Sequence, residues 1–161
     1  MMTMNDCIIE TPLGATKITG NAEGISAISV LDSKEATFSE NIHSDLKDCV
    51  SQLNEYFDES RQTFSFKMNP NGSDFQKRVW KKLLEIPFGK TITYLELSKQ
   101  IGDPNAIRAV ASANGKNPLW IVIPCHRVIG SDGSLTGYAG GLYRKQWLLN
   151  HEKGTVQHTL F

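Results

Sequence analysis

The stretch "NPNGS" at residues 69–73 constrains this chain most, because two different periodicities meet there. Asn, Pro and Gly in one cluster favour a turn over any regular element. Ahead of it, "CIIETP", "ATKITG" and "GISAISVLD" are short runs with β-branched residues, separated by Leu13 and Gly14, by Asn21 and by Gly24. That is the pattern of strands joined by turns. One helix interrupts them: in "SDLKDCVSQLNEYF", Leu46, Cys49, Val50, Leu53, Tyr56 and Phe57 recur at helical spacing, which puts Cys49 on a core stripe. "TFSFKM" reads as a further strand. Behind the break the period changes. "SDFQKRVWKKLLEI" and "TYLELSKQIG" both open on capping boxes, Ser73 with Gln76 and Thr93 with Glu96, and Gly102 closes the second. Asp103 and Pro104 start another helix at once, "PNAIRAVASANG", which stops at Gly115 and at Asn117 and Pro118. The last helix is "LYRKQWLLNHEKG". The expectation is an α/β (α+β) chain of two domains, residues 1–70 as a small β-sheet domain and residues 71–161 as a mainly helical one with a helix-turn-helix.

The chain has 161 residues and a net charge of zero, which hides a division. Residues 1–70 carry 5 Lys/Arg against 11 Asp/Glu, and residues 71–161 carry 12 against 6. An acidic half followed by a basic half points the second toward a polyanion, nucleic acid first. Three cysteines without a CxxC pair argue for a reducing compartment, and the cytoplasm is the expected location. The N-terminus lacks a basic patch leading an apolar run, and no apolar stretch reaches membrane-spanning length, so no membrane is expected. His43, His151 and His158 form no cluster with a cysteine at metal-ligand spacing, so no metal is expected.

The chemistry concentrates in "WIVIPCHRVIG", where an apolar run that reads as a buried strand ends on Pro124, Cys125, His126 and Arg127. Cys125 is either one more small core residue or a nucleophile held at a strand end. A thiol becomes a good nucleophile when ionised, and His126 is the adjacent base. Neighbours in an extended segment point to opposite faces, so a bridging water is the natural link between them. A base needs an orienting carboxylate. Glu152 is the candidate, because its charge at the end of the last helix opposes the macrodipole and implies a partner elsewhere. Arg127 reads as structural, pairing a carboxylate or a backbone carbonyl. Asn117 is a site residue or a turn residue, and Tyr94 a site residue or a packing one. Ala106, Ala109, Ala111, Ser112, Ala113 and Gly115 make a helix able to approach a partner closely, with Arg108 projecting from among them. Gly137, Gly140 and Gly141 surround Tyr138 in a segment able to meet a ligand through its backbone.

"IPCHRVIG" followed by "GYAGGLYRKQWLLNHE", with "NGKNP", "AIRAVASAN", "TYLEL" and "FQKRVWKKL" upstream, resembles the O6-alkylguanine-DNA alkyltransferases, also called methylated-DNA–protein-cysteine methyltransferases. The resemblance implies a ribonuclease-H-like N-terminal domain, an active-site strand in the second domain, and a monomer without cofactor. It also implies stoichiometric transfer of an alkyl group from guanine O6 in double-stranded DNA, with O4-alkylthymine as a further lesion class. Cys125 would accept the alkyl group, His126 would deprotonate it through water, and Glu152 would orient His126. Asn117 would hydrogen-bond within the site. Tyr94 would donate a proton to the departing base and help rotate its phosphate. Arg108 would fill the stack left by the extruded nucleotide, on a minor-groove surface with Ala106, Ala109, Ser112 and Ala113. Backbone N–H groups around Tyr138 and Gly140 would bind the base. Asn21 stands where some relatives place a zinc-binding cysteine, and Ala139 where some have Ser. Three other readings compete: a damage sensor that binds alkylguanine without reacting, a major-groove regulator, and a cysteine hydrolase that turns over.

Overall fold

A computed structural model describes residues 3–33, 35–135, 138 and 141–154. The chain divides into two compact units, Met1–Asn71 with Pro118–Val122, and Gly72–Asn117 with Ile123–Phe161. The first unit therefore takes back five residues from far downstream, which no single cut of the sequence expresses.

In the first unit, β1 (Asn5–Thr11), β2 (Gly14–Asn21) and β3 (Gly24–Leu31) form one antiparallel sheet in the order β1-β2-β3. Alternate residues turn inward, Cys7, Ile9 and Thr11 from β1, and Thr16 and Ile18 from β2. The register slips at Thr19 and Gly20, and Ile25 and Ile28 of β3 then reach the same core. Helix α1 (Ser44–Phe57) lays Leu46, Cys49, Leu53 and Tyr56 on this core. Each large apolar side chain so buried contributes roughly 1.5–3 kcal/mol. The segment "TFSFKM" is not a strand: Met68 makes one isolated bridge with Ile25, and Ser65 N–H donates to Gln52 Oε1 of α1 instead of to a neighbouring strand. Leu119 likewise makes an isolated bridge with Ile28.

The second unit contains α2 (Asp74–Leu83), β4 (Ile92–Thr93), α3 (Tyr94–Ile101), α4 (Ile107–Gly115), β5 (Val128–Ile129) and α5 (Leu142–Lys153). Both expected capping boxes form: Ser73 and Gln76 on α2, and Thr93 and Glu96 on α3, each with reciprocal side-chain bonds. Gly102 ends α3 at φ +106°, a conformation costly for any residue with a Cβ. The next helix begins later than the sequence implied. Pro104–Ala106 is a single 3₁₀ turn capped by Asp103, and α-helical bonding starts at Ile107. Helices α2 and α4 are pinned by the Trp80 indole, whose Nε1–H donates to Ala113 O at 2.8 Å.

Trp80→Phe removes that donor, leaves the Ala113 carbonyl without it and thins the packing. The expected loss is about 1–3 kcal/mol, read as a lower urea midpoint with an unchanged slope.

Candidate active site

The nucleophile candidate sits on a pair of tight turns, not at the end of a strand. Trp120 to Ile123 form no strand. Val122 N–H donates to Trp120 O at 2.8 Å, closing a three-residue turn that holds Ile121 at φ +72°. A β-branched residue there stores strain of about 1–3 kcal/mol. A second three-residue turn follows around Pro124, φ −81° and ψ 64°, closed by Cys125 N–H on Ile123 O at 2.8 Å. Cys125–Arg127 is then a 3₁₀ turn that runs straight into β5, which pairs in parallel with β4. This corrects the expected active-site strand. Proline withholds an N–H and fixes φ, so the apolar run cannot continue a ladder through it.

The 3₁₀ turn sends His126 and Arg127 to one carboxylate. Glu152 Oε2 lies 2.7 Å from His126 Nε2, and Arg127 donates from Nε to Oε1 at 2.8 Å and from Nη2 to Oε2 at 2.9 Å. The remaining arm of Arg127, Nη1–H, donates to Ile86 O at 2.7 Å. All three side chains are buried. Burial alone would raise the Glu152 carboxyl, but the hydrogen bonds and charges of His126 and Arg127 outweigh it and hold it well below the usual carboxylate range. Burial pushes His126 below its ordinary value, and Arg127 and Lys145 oppose the pull of Glu152. The arrangement is thus an ionised Glu152 neutralised by Arg127, beside a neutral imidazole. With a carboxylate at Nε2, that nitrogen carries the hydrogen, and Nδ1 is left as an acceptor.

Cys125 retains 7% of its surface. Burial raises its thiol above the ordinary range, while hydrogen bonds from Asn117 and Tyr138 and the Lys145 charge favour the thiolate. Asn117 anchors the same loop by donating from Nδ2 to Ile123 O at 2.7 Å. Lys145 is the functional candidate that the sequence reading missed. Its side chain is fully buried on α5, with Nζ 5.8 Å from the Tyr94 ring centre and 6.0 Å from that of Tyr138. Burial lowers its pKa, and Cys125 opposes that shift. The sequence did hold a signal: Lys145, Leu148, Leu149 and Glu152 are spaced i, i+3, i+4, i+7, so burying the leucines buries both charges.

On α4, Arg108, Ala109 and Ser112 are exposed and Ala106 is half-buried just before it. Ala113 instead faces inward beside Val110 and Asn114, so its side chain is withdrawn from that surface. Gly140 lies outside the described residues. Among the described residues no group of His, Cys, Asp and Glu is arranged to hold a metal ion.

The cluster sets a pH signature. Glu152 and His126 both have folded values below their ordinary 4.5 and 6.5. As pH falls, the unfolded chain therefore binds protons first. Stability is complete above the ordinary histidine value, declines as pH drops through 6.5, and declines further through 4.5. Urea titrations from neutral to acid pH should trace both steps. Glu152→Gln should cost about 3–5 kcal/mol at neutral pH, by leaving a buried guanidinium without its charge partner, and should flatten the lower step.

Comparisons with known proteins agree over both halves of the chain. Residues 74–154 match the family described as 6-O-methylguanine DNA methyltransferase, DNA binding domain, and residues 7–70 match its ribonuclease-like domain. A Methanosarcina barkeri protein named methylated-DNA–protein-cysteine methyltransferase is 46% identical over 155 residues, 93% of this chain and 98% of that one. A Mycobacterium tuberculosis protein of the same name is 43% identical over 148 residues, 90% of each chain. The crystal structure of Mycobacterium tuberculosis O6-methylguanine methyltransferase superposes with a TM-score of 0.84 at 40% identity, covering 94% of both chains. The Mycobacterium tuberculosis OGT in complex with DNA superposes at 0.83, with 43% identity over 91% of both. With both of its halves matched, and with relatives this similar along nine-tenths of its length, the chain belongs to the methylated-DNA–protein-cysteine methyltransferase family.

Proposed function

We infer that this protein repairs DNA by moving the alkyl group of O6-alkylguanine onto Cys125, once per molecule and without a cofactor. The observation that carries the reading is the placement of Cys125 directly before His126, whose outer nitrogen is held 2.7 Å from a buried, ionised Glu152. A cysteine merely filling a core needs no such base.

The chemistry follows from these positions. The Cys125 proton passes through a water to His126, and the resulting imidazolium is stabilised by Glu152. The thiolate sulfur attacks the carbon bound to O6. The S–C bond forms as the C–O bond breaks, and the electron pair stays with the guanine, which takes a proton from Tyr94 and departs neutral. Lys145 stabilises both the thiolate and the tyrosine ring that faces the base. Asn117 holds the thiol in line. The product is an alkyl thioether, which water does not cleave, so the reaction ends there. DNA is the partner, because the lesion lies within a duplex and must be swung out to be reached. Arg108 fills the space left in the stack, and Ala106, Ala109 and Ser112 keep α4 slim enough for the minor groove. Tyr138 closes over the base. Residues 1–70 act as the ribonuclease-H-like domain, and residues 71–161 bind DNA and accept the alkyl group. The protein works as a monomer in the cytoplasm; among the described residues no helix is long and apolar enough to cross a membrane.

The deciding experiment is incubation with duplex DNA containing O6-methylguanine, followed by mass analysis of the peptide bearing Cys125. A gain of one methylene, at one event per molecule, is expected. Tight binding with an unmodified peptide would make the protein a sensor instead. Cys125→Ser should abolish transfer and leave duplex affinity largely intact.

Two further variants separate the roles. Lys145→Met should slow transfer about tenfold or more and move its pH profile to higher pH, since removing the cation raises the thiol pKa. Arg108→Ala should slow transfer from duplex DNA while sparing transfer from the free base, which needs no extrusion.

A further inference from the structure

Two buried polar atoms near the nucleophile, Asn114 Oδ1 and His126 Nδ1, have no hydrogen-bond partner among the described residues. Asn114 is 2% exposed near the end of α4, and His126 is fully buried. Leaving one such atom unsatisfied costs about 1–3 kcal/mol, and buried polar groups are almost always paired with protein or ordered water.

The two residues are linked through one peptide. Asn114 Nδ2–H donates to the carbonyl oxygen of Cys125 at 3.4 Å, and that carbonyl carbon is bonded to the backbone nitrogen of His126 within one planar unit. The bond also fixes how the amide is turned, because the opposite assignment would set two oxygens against each other. Asn114 Oδ1 is therefore an acceptor. His126 Nδ1 is an acceptor as well, since Nε2 carries the hydrogen toward Glu152. Two acceptors cannot satisfy each other. They need a group with two hydrogens to give, small enough for a buried niche, and water is that group.

We propose that Asn114 is a positioning residue for alkyl transfer: with His126 it holds one water between them, aimed at Cys125. The water donates one hydrogen to Asn114 Oδ1 and one to His126 Nδ1, which leaves its lone pairs for the thiol. The S–H proton moves to the water as the water's own proton moves to Nδ1, giving a thiolate, an intact water and an imidazolium paired with Glu152. Asn114 also holds the peptide joining nucleophile to base, so one side chain of α4 sets the geometry of the relay. The consequence for repair rests on the reading of Cys125 as alkyl acceptor, but the relay does not.

Two measurements test it. In a crystal structure of the unaltered protein, one water should lie within hydrogen-bond distance of both Asn114 Oδ1 and His126 Nδ1. Density showing no such water, or a direct contact between the two side chains, overturns the proposal. In solution, the rate at which iodoacetamide alkylates Cys125 should be followed against pH by peptide mass. Asn114→Leu, of similar size but without polar atoms, should slow it about tenfold at neutral pH and shift its midpoint upward by about one unit. An unchanged profile in the folded variant overturns the proposal, and should that variant fail to fold, the crystal structure decides. Iodoacetamide needs no DNA. Failure of the unaltered protein to accept methyl from duplex DNA would therefore strike the functional reading and leave the relay standing.

Discussion

The second unit is organised around one buried negative charge. Glu152 is held ionised away from water because Arg127 meets it with two parallel N–H donors and His126 with another. Those contacts fix three pieces of backbone at once. They tie the C-terminal turn of α5 to the 3₁₀ turn after Pro124, and the remaining arm of Arg127 ties that turn to the Ile86 carbonyl beyond α2. The residue carrying the nucleophile is thereby held between two anchored neighbours.

Around the sulfur, influences oppose one another, and burial prevails. Burial favours the neutral thiol, while a buried ammonium, an amide and a phenol favour the thiolate. A nucleophile in such a position needs a base to take its proton, which is the place His126 holds. The lysine itself tolerates burial because two aromatic rings and the sulfur share its field. Strain at Ile121 and the two consecutive tight turns belong to the same design, since they bring Cys125 out of an apolar run without giving it a strand's regular neighbours.

Much of the scaffold was legible residue by residue. Ser73 with Gln76, Thr93 with Glu96, and Gly102 announced helix ends that the structure reproduces, because capping bonds join residues three apart and depend on little else. The stripe of Leu46, Cys49, Leu53 and Tyr56 was legible for the same reason: helical spacing alone decides which side chains share a face. The segments that misled were those whose hydrogen bonds come from elsewhere. "TFSFKM" has the composition of a strand, but Gln52 supplies the bond that a neighbouring strand would have made. "WIVI" has it too, and Pro124 ends it in turns.

What the sequence determined by itself, then, was the set of local elements, the switch from strands to helices near residue 70, and the pairing of a thiol with an adjacent imidazole, since all of these depend on residues near one another in the chain. Only the tertiary structure decided that Lys145 faces the same space as Tyr94 and Tyr138, that Ala113 turns inward to receive Trp80, and that Asn114 grips the peptide of Cys125. Those contacts join residues 7 to 51 positions apart, and their worth arises from excluding water, which local pattern does not encode.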